Sequence, residues 1–148
     1  FWLMGDLSQV GSPWPGLTVL ALGLLASLPL ARTLNVLAWG ELQAGALGVP
    51  VGRVRTAVYL LASLLTATAV TMAGTVAFVG LIVPHMLRLV GGHDHRLLLP
   101  ASTLLGGTLL VLADTAARTA FAPQQLPVGV VTALVGVPVF LYLLHRRA

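Results

Sequence analysis

The longest stretch of this chain without a formal charge covers 32 residues, 56–87, and is almost wholly apolar. Arg55 closes it on one side and Arg88 on the other. As a single helix it would measure roughly 48 Å, against about 30 Å of bilayer hydrocarbon. The stretch is therefore too long for one crossing and must break, and Ala73 and Gly74 near its middle are the expected place. Two crossings return Arg88 to the side of the membrane on which Arg55 lies.

The composition places the whole chain in the membrane class. Apolar residues make up 57% of it and charged residues only 8%, whereas a soluble domain carries about 25% charged residues. Further charge-free runs at 7–31, 97–113 and 119–144 are long enough to span a bilayer, and none has a polar face at helical period. The sequence therefore predicts an all-α, polytopic transmembrane helical bundle.

The residue types that are missing exclude several kinds of chemistry. There is no cysteine for disulfides or thiolate metal sites and no lysine for a Walker A motif. No nucleophile–base pair is visible, and His93, Asp94 and His95 match no strong zinc spacing; Asp94 is instead expected to cap the helix that follows it. We therefore predict no enzyme activity, no catalytic residue, no cofactor and no metal site.

Arginines give the predicted topology. The predicted spans are 17–31, 56–73, 76–90, 97–121 and 128–144. If the first runs from outside to inside, seven of the eight arginines share one side and only Arg118 lies on the other; the seven are Arg32, Arg53, Arg55, Arg88, Arg96, Arg146 and Arg147. The positive-inside rule makes that side cytoplasmic, so the net charge of +4 reports orientation and not nucleic-acid binding.

Asp114 and Arg118 form a candidate site near the outer end of the fourth span. Four residues apart on one helix, they share a face and can form an ion pair. Ionisable residues inside a membrane usually face the protein interior or a water-filled cavity. Three roles stay open: a structural pair, a docking or gating group at the outer mouth, and a proton relay using Asp114.

The polar segment 34–48, LNVLAWGELQAGALG, is the most unusual part of the chain outside the spans. Apolar residues recur in it at helical spacing on both sides of a glycine. The pattern predicts two short helices with a turn near Gly40, lying at the cytoplasmic surface. An ordinary interfacial loop is the alternative.

Three strings carry a resemblance to a known family: GTVAFVGLIVPHMLRLVGGHDHRLLLPAS, LLGGTLLVLADTAAR and QLPVGVVTALVGVPVFLYLL. Together with LAWGELQAGALG they closely resemble the C-terminal half of FecCD-type permeases, and among these the cobalamin permeases most. FecCD-type permeases are the membrane subunits of type II ATP-binding-cassette (ABC) importers for ferric siderophores, haem and cobalamin. The resemblance covers nearly the whole chain.

The resemblance implies a ten-span subunit of the bacterial inner membrane, of which this chain corresponds to the end of span five through span ten. Such a subunit forms a homodimer and works with cytoplasmic ABC ATPase subunits and a periplasmic substrate-binding protein. By position, Arg118 matches the arginine that meets an acidic residue of the binding protein. Coupling helices in the family occupy a groove of the ATPase, and the residues that match them are Trp39, Gly40, Glu41, Ala44, Leu47 and Gly48.

These expectations define a permease that converts motion of a partner ATPase into alternating access and does not itself hydrolyse ATP. Two functions from other classes stay open at this point. One is a proton-coupled secondary transporter that uses Asp114, and the other is a purely structural membrane scaffold. The motifs do not separate siderophore, haem and corrinoid cargo.

Overall fold

The computed structural model of the chain describes residues 11–119 and 127–145. These residues form six helices and, within the described ranges, no strand. The helices are α1 (Trp14–Leu37), α2 (Glu41–Ala46), α3 (Val51–Ala73), α4 (Val79–Gly91), α5 (His95–Thr119) and α6 (Val128–His145). The fold is therefore all-α, as the composition predicts.

Helices α1 and α3 form a close antiparallel pair. Met72 packs directly against Gly16, and the methyl groups of Leu65 lie against Gly23. The contacts run in opposite directions along the two helices, so the end of α3 lies level with the start of α1. Small residues allow this approach because no side chain separates the backbones.

The segment predicted as two short helices contains one. Residues 34–37 continue α1, so α1 runs well past the predicted end at Ala31, and the prediction of a separate first helix is wrong. No glycine or proline interrupts the chain from Leu30 to Leu37, so nothing ends the helix where the apolar run ends. The predicted turn near Gly40 is present, and α2 follows it.

The long apolar stretch breaks where the sequence predicts. α3 ends at Ala73, and Gly74 follows with φ +71°, a backbone conformation that glycine adopts at little cost. The next helix, however, begins only at Val79, three residues later than the predicted span 76–90. Phe78 precedes it with φ +64°, which is unusual for a bulky residue.

Packing against α6 accounts for the position of Phe78. A Cβ placed on Gly136 would lie 2.5 Å from Cβ and 2.9 Å from Cγ of Phe78, so only glycine fits there. The ring of Phe78 also meets that of Phe140, with centroids 6.3 Å apart, a separation typical of favourable aromatic pairs. α6 thus holds the start of α4 through a glycine notch and a ring contact.

The surface of the bundle is apolar. Eight apolar residues are buried among those described, whereas Leu22, Leu25 and Leu104 are 67%, 64% and 74% exposed. Three helices, α1, α3 and α5, are long and apolar enough to cross a bilayer, and α4 and the apolar part of α6 are shorter. Exposed apolar surface of this extent is typical of membrane helices. The predicted turn at 122–126, Arg146 and Arg147 lie outside the described residues.

Candidate coupling and docking sites

A tight turn separates α1 from α2. The amides of Trp39 and Gly40 donate to carbonyls three residues back, at 3.1 and 3.0 Å, and these bonds tighten the last turn of α1. Gly40 then takes φ +118° and ψ 147°, a region that is essentially restricted to glycine. Its carbonyl accepts from the Ala44 amide at 3.0 Å and begins α2. The direction of α2 therefore depends on glycine at this position.

The other end of α2 is closed by a Schellman motif. The Val49 amide donates to the Ala44 carbonyl and the Gly48 amide to the Gly45 carbonyl, both at 3.0 Å, and Gly48 has φ +81°. This pair of bonds satisfies carbonyls that a helix end otherwise leaves open. A helix of six residues is thus fixed at both ends by glycines of positive φ.

Three large apolar side chains in and beside α2 are exposed. Trp39, Leu42 and Leu47 are 81%, 92% and 75% exposed, and together we call them the coupling surface. Ala44 of α2, by contrast, is fully buried. Sequence reasoning selected Trp39, Ala44 and Leu47 but missed Leu42, although its place one turn from Ala46 on a short amphipathic helix could have indicated it.

An ion pair ties α2 to α3. Glu41, the first residue of α2, accepts from the guanidinium of Arg55 in the second turn of α3. Both side chains are about half exposed, at 58% and 50%. Exposed pairs of this kind contribute up to about 1 kcal/mol, so the pair links α2 to α3 but adds little to the stability of the fold.

A second polar contact ties the end of α1 to the start of α5. Asn35 Nδ2 donates to Asp94 Oδ1 at 2.7 Å, and Asn35 Oδ1 accepts from the His95 amide at 2.8 Å. His95 Nδ1 lies 2.7 Å from the same Asn35 oxygen. We call these three residues the α1–α5 clip. Sequence reasoning missed Asn35, because its partners lie about sixty residues further along the chain.

Asp94 has the capping role that the sequence predicts. Its Oδ1 accepts from the Arg96 amide at 2.9 Å, and its carbonyl accepts from the Leu98 amide at 2.9 Å. The Arg96 backbone N–H and the Asn35 side-chain amide hold the pKa of the Asp94 carboxyl below its ordinary value. Among the described residues no three metal-ligating side chains gather into a group.

The Asp114–Arg118 pair lies near the opposite end of α5. Arg118 Nε donates to Asp114 Oδ2 at 2.7 Å, which is the ion pair expected from their spacing. Arg118 is 39% exposed and Asp114 25% exposed, so the guanidinium keeps access to a partner. The structure thus sets the candidate coupling residues and Arg118 at different ends of the bundle, with α5 running about 29 Å from His95 to Asp114.

An all-helical bundle with an apolar surface and candidate spans defines a polytopic membrane protein, and comparison with known proteins gives the family. The FecCD transport family model matches residues 1–146. The cobalamin import system permease protein BtuC of Halobacterium salinarum is 52% identical over 152 residues, covering 99% of this chain and 40% of the relative. The hemin transport system permease protein HmuU of Yersinia pestis is 43% identical, covering 99% and 44%.

A solved structure gives the same result. It is described as an inward-facing conformation of a metal-chelate type ABC transporter, with a TM-score of 0.87 and 36% identity, and the match covers 99% of this chain and 48% of that one. The chain belongs to the FecCD transport family, which confirms the resemblance seen in its motifs. It spans less than half the length of the relatives it matches.

Proposed function

We propose that this chain is the C-terminal half of the permease subunit of an ATP-driven importer for metal chelates or corrinoids. Relatives named for cobalamin, hemin and iron(III) dicitrate support this cargo class. The observation that carries the proposal is the coupling surface, an exposed apolar patch on and beside a short helix fixed at both ends. Such a patch needs an apolar partner, and a groove of a cytoplasmic ATPase is the partner we assign to it.

The geometry provides a route for force from that partner into the bundle. Movement of α2 passes to α3 through the Glu41–Arg55 pair. It passes to α1 through the short turn formed by Ala38, Trp39 and Gly40, and from α1 to α5 through the clip. ATP hydrolysis takes place in the partner, and the permease converts the resulting motion into alternating access.

The remaining assignments follow from the same proposal. Two copies of the full-length subunit form the path in the bacterial inner membrane, with the ATPase on the side that holds most arginines. A periplasmic binding protein docks at the end of α5 that holds Arg118. The proton-coupled alternative gains no support, since Asp114 is engaged by Arg118 and the named relatives are import-system permeases.

Substitutions at two glycines test the coupling surface. In the full-length subunit Gly40→Ala forces a Cβ into a glycine-only conformation, at a cost of about 1–3 kcal/mol, and should tilt α2. Gly45→Ala is the matched control, because Gly45 is helical and a Cβ there meets no atom within 4 Å. We expect Gly40→Ala to lower transport and ATPase co-purification at a normal membrane level, and Gly45→Ala to leave both unchanged.

Stronger changes make the test decisive. Gly40→Trp adds bulk to the same turn, and Glu41→Lys places a cation beside Arg55. If both variants transport normally and still co-purify with the ATPase, α2 is a connector and the proposal loses its main support.

Arg118 tests the outer partner. A guanidinium binds carboxylates in a bidentate geometry that lysine cannot match, so Arg118→Glu should weaken docking of the binding protein. A Glu→Arg change on that partner should partly restore it. The contact should also weaken as salt rises, because exposed charges are screened over about 10 Å at 0.1 M. Docking unaffected by charge reversal at low salt would leave Arg118 only its bond to Asp114.

A further inference from the structure

A groove between α1 and α5 combines apolar and cationic side chains. It has a volume of about 490 Å³ and is lined by Leu28, Pro29, Arg32 and Arg96; we call it the basic groove. Leu28 lies one turn before Arg32 along α1, toward the centre of the helix. The groove is therefore apolar on the side of the membrane interior and cationic toward the arginine-rich end of the bundle.

The α1–α5 clip accounts for the meeting of the two arginines. Arg32 lies three residues before Asn35 and therefore shares its face of α1. Asn35 Oδ1 accepts from the His95 amide at 2.8 Å, and Arg96 directly follows His95 in the chain. The clip thus fixes the backbone positions of Arg32 and Arg96 relative to each other.

The length of α1 gives the depth of the groove in the membrane. Trp14 begins α1, and tryptophan at the end of a spanning helix is typical of the boundary between hydrocarbon and water. Arg32 lies about 27 Å further along the helix, close to the hydrocarbon thickness of about 30 Å. Trp39 of the coupling surface follows the end of α1 and lies still further from the membrane interior. The basic groove is therefore at the level of the lipid headgroups, and the coupling surface is beyond them.

Positive charge exceeds negative charge around the groove. Within residues 11–119 and 127–145 neither Arg32 nor Arg96 forms an ion pair. Glu41 is already paired with Arg55, and Asp94 accepts from the Arg96 backbone amide. The Asp94 carboxylate attracts the Arg96 side chain, whereas no described carboxylate pairs with Arg32. An anion that enters the groove thus meets guanidinium groups without a full complement of counter-charge.

From this depth, this charge and the apolar side of the groove we infer that the basic groove binds the phosphate headgroup of an anionic phospholipid. The lipid belongs to the cytoplasmic leaflet, the side that the positive-inside rule assigns to most of the arginines. Guanidinium groups bind phosphate through paired N–H···O bonds, and basic pockets between spanning helices on this side are suited to anionic lipids. An acyl chain then follows Leu28 along α1 toward the membrane interior. The site is independent of the proposed cargo and of the ATPase.

Lipid retention tests the inference. The full-length subunit is purified in detergent with equal amounts of phosphatidylglycerol and phosphatidylcholine, and the lipids bound per subunit are counted by native mass spectrometry. Both lipids carry a phosphate, so a preference between them reports net negative charge. The parent should retain phosphatidylglycerol at least about tenfold better, and Arg32→Gln and Arg96→Gln should each lower this preference about fivefold, the effect of one arginine near anionic lipid.

Arg53→Gln is the matched control. Arg53 lies in the first turn of α3, at the same end of the bundle, and does not line the groove. It loses the same charge and should keep the preference of the parent. A second measurement needs no variant: the preference of the parent should weaken as salt rises past about 0.1 M, where charges are screened over about 10 Å. A preference that salt does not change would overturn the charge-based site.

Three other results would also overturn the lipid site. Equal retention of both lipids by the parent is the result expected if carboxylates elsewhere in the full-length subunit neutralise the groove. An increase in Tm with inorganic phosphate alone, seen in the parent but not in Arg32→Gln and without any lipid preference, would assign the groove to free phosphate. Normal lipid preference in Arg32→Gln and Arg96→Gln, together with loss of ATPase co-purification, would assign these arginines to the ATPase contact. Failure of transport in the parent would contradict the proposed function and leave the lipid site standing.

Discussion

Gly136→Ala should separate α4 from α6, and its cost can be worked out from the structure. The new Cβ would lie 2.5 Å from Phe78 Cβ, 2.9 Å from Phe78 Cγ and 3.3 Å from Ile82 Cδ1. The nearest atoms belong to the base of the Phe78 side chain, so no rotation of χ1 relieves the overlap and the backbones must move apart. Overpacking of this kind costs about 1–3 kcal/mol, which corresponds to a loss of roughly 2–12 °C in Tm.

Two other glycines in the same bundle calibrate the measurement. A Cβ on Gly23 would meet only Leu65, at 2.7 Å from a terminal methyl group that can rotate away, and a Cβ on Gly107 would meet nothing within 4 Å. The expected order of destabilisation is therefore Gly136→Ala, then Gly23→Ala, then Gly107→Ala. Tm is measured on the full-length subunit in detergent, by heating and counting the folded fraction on a sizing column.

A double variant separates overlap at Phe78 from general damage. Phe78→Gly removes the Cβ that Gly136→Ala would strike and also removes the strain of φ +64°. Gly136→Ala should therefore cost much less in the Phe78→Gly background than in the parent, which is a coupling between contacting residues. Equal Tm values for Gly136→Ala and Gly107→Ala, or full additivity with Phe78→Gly, would refute the close contact between α4 and α6.

Three further predictions test the α1–α5 clip, the cap of α5 and the Glu41–Arg55 pair. Asn35→Leu breaks the α1–α5 clip, and Asp94→Ser keeps a capping oxygen but cannot reach Asn35. Each variant should lower the amount of chelate transported per ATP hydrolysed. The double variant should be no worse than either single variant. The pKa of Asp94 is lower in the folded state than in the unfolded state. Its contribution to stability is therefore present above the unfolded pKa and is lost as pH falls through the folded pKa, below about pH 4. In that pH range the Tm of Asp94→Asn should fall less steeply with pH than that of the parent, and an unchanged slope would contradict the capping role. Exchanging the charges of Glu41 and Arg55 should retain more transport than Glu41→Lys alone, and equal losses would show that the ion pair does not orient α2.

Much of the fold follows from local sequence signals. The charge-free runs give the helices, and the break at Gly74 follows from helix length against membrane thickness. The position of Asp94 before an apolar run gives the cap of α5. The Asp114–Arg118 pair follows from spacing on one helix. Each of these depends only on residues within one turn, or on one length compared with another, so periodicity and charge reveal them.

The contacts that join distant segments could not be read in this way. Asn35 looks like an ordinary polar residue near a helix end, and only the fold brings it to His95, sixty residues away. Similarly, the continuation of α1 through residues 34–37 is hidden, because Arg32 and Asn35 make the segment polar without breaking the helix. Family likeness predicts coupling residues between Trp39 and Gly48 but does not include Leu42. The shape of this segment depends on the positive φ of Gly40 and Gly48, which the sequence alone does not reveal.

The start of α4 shows the limit most clearly. Residues 75–79, TVAFV, are apolar or β-branched, so hydropathy cannot distinguish an extended segment from a helix in this place. A helix through Phe78 would give that residue an ordinary negative φ; the structure instead holds it at φ +64°, against a glycine 58 residues further along the chain. Strain at a bulky residue persists only where the surroundings over-determine it, and such sites cluster at functional positions. The glycine notch in α6 therefore does more than pack two helices: it holds Phe78 in a non-helical conformation, so that α4 begins only at Val79.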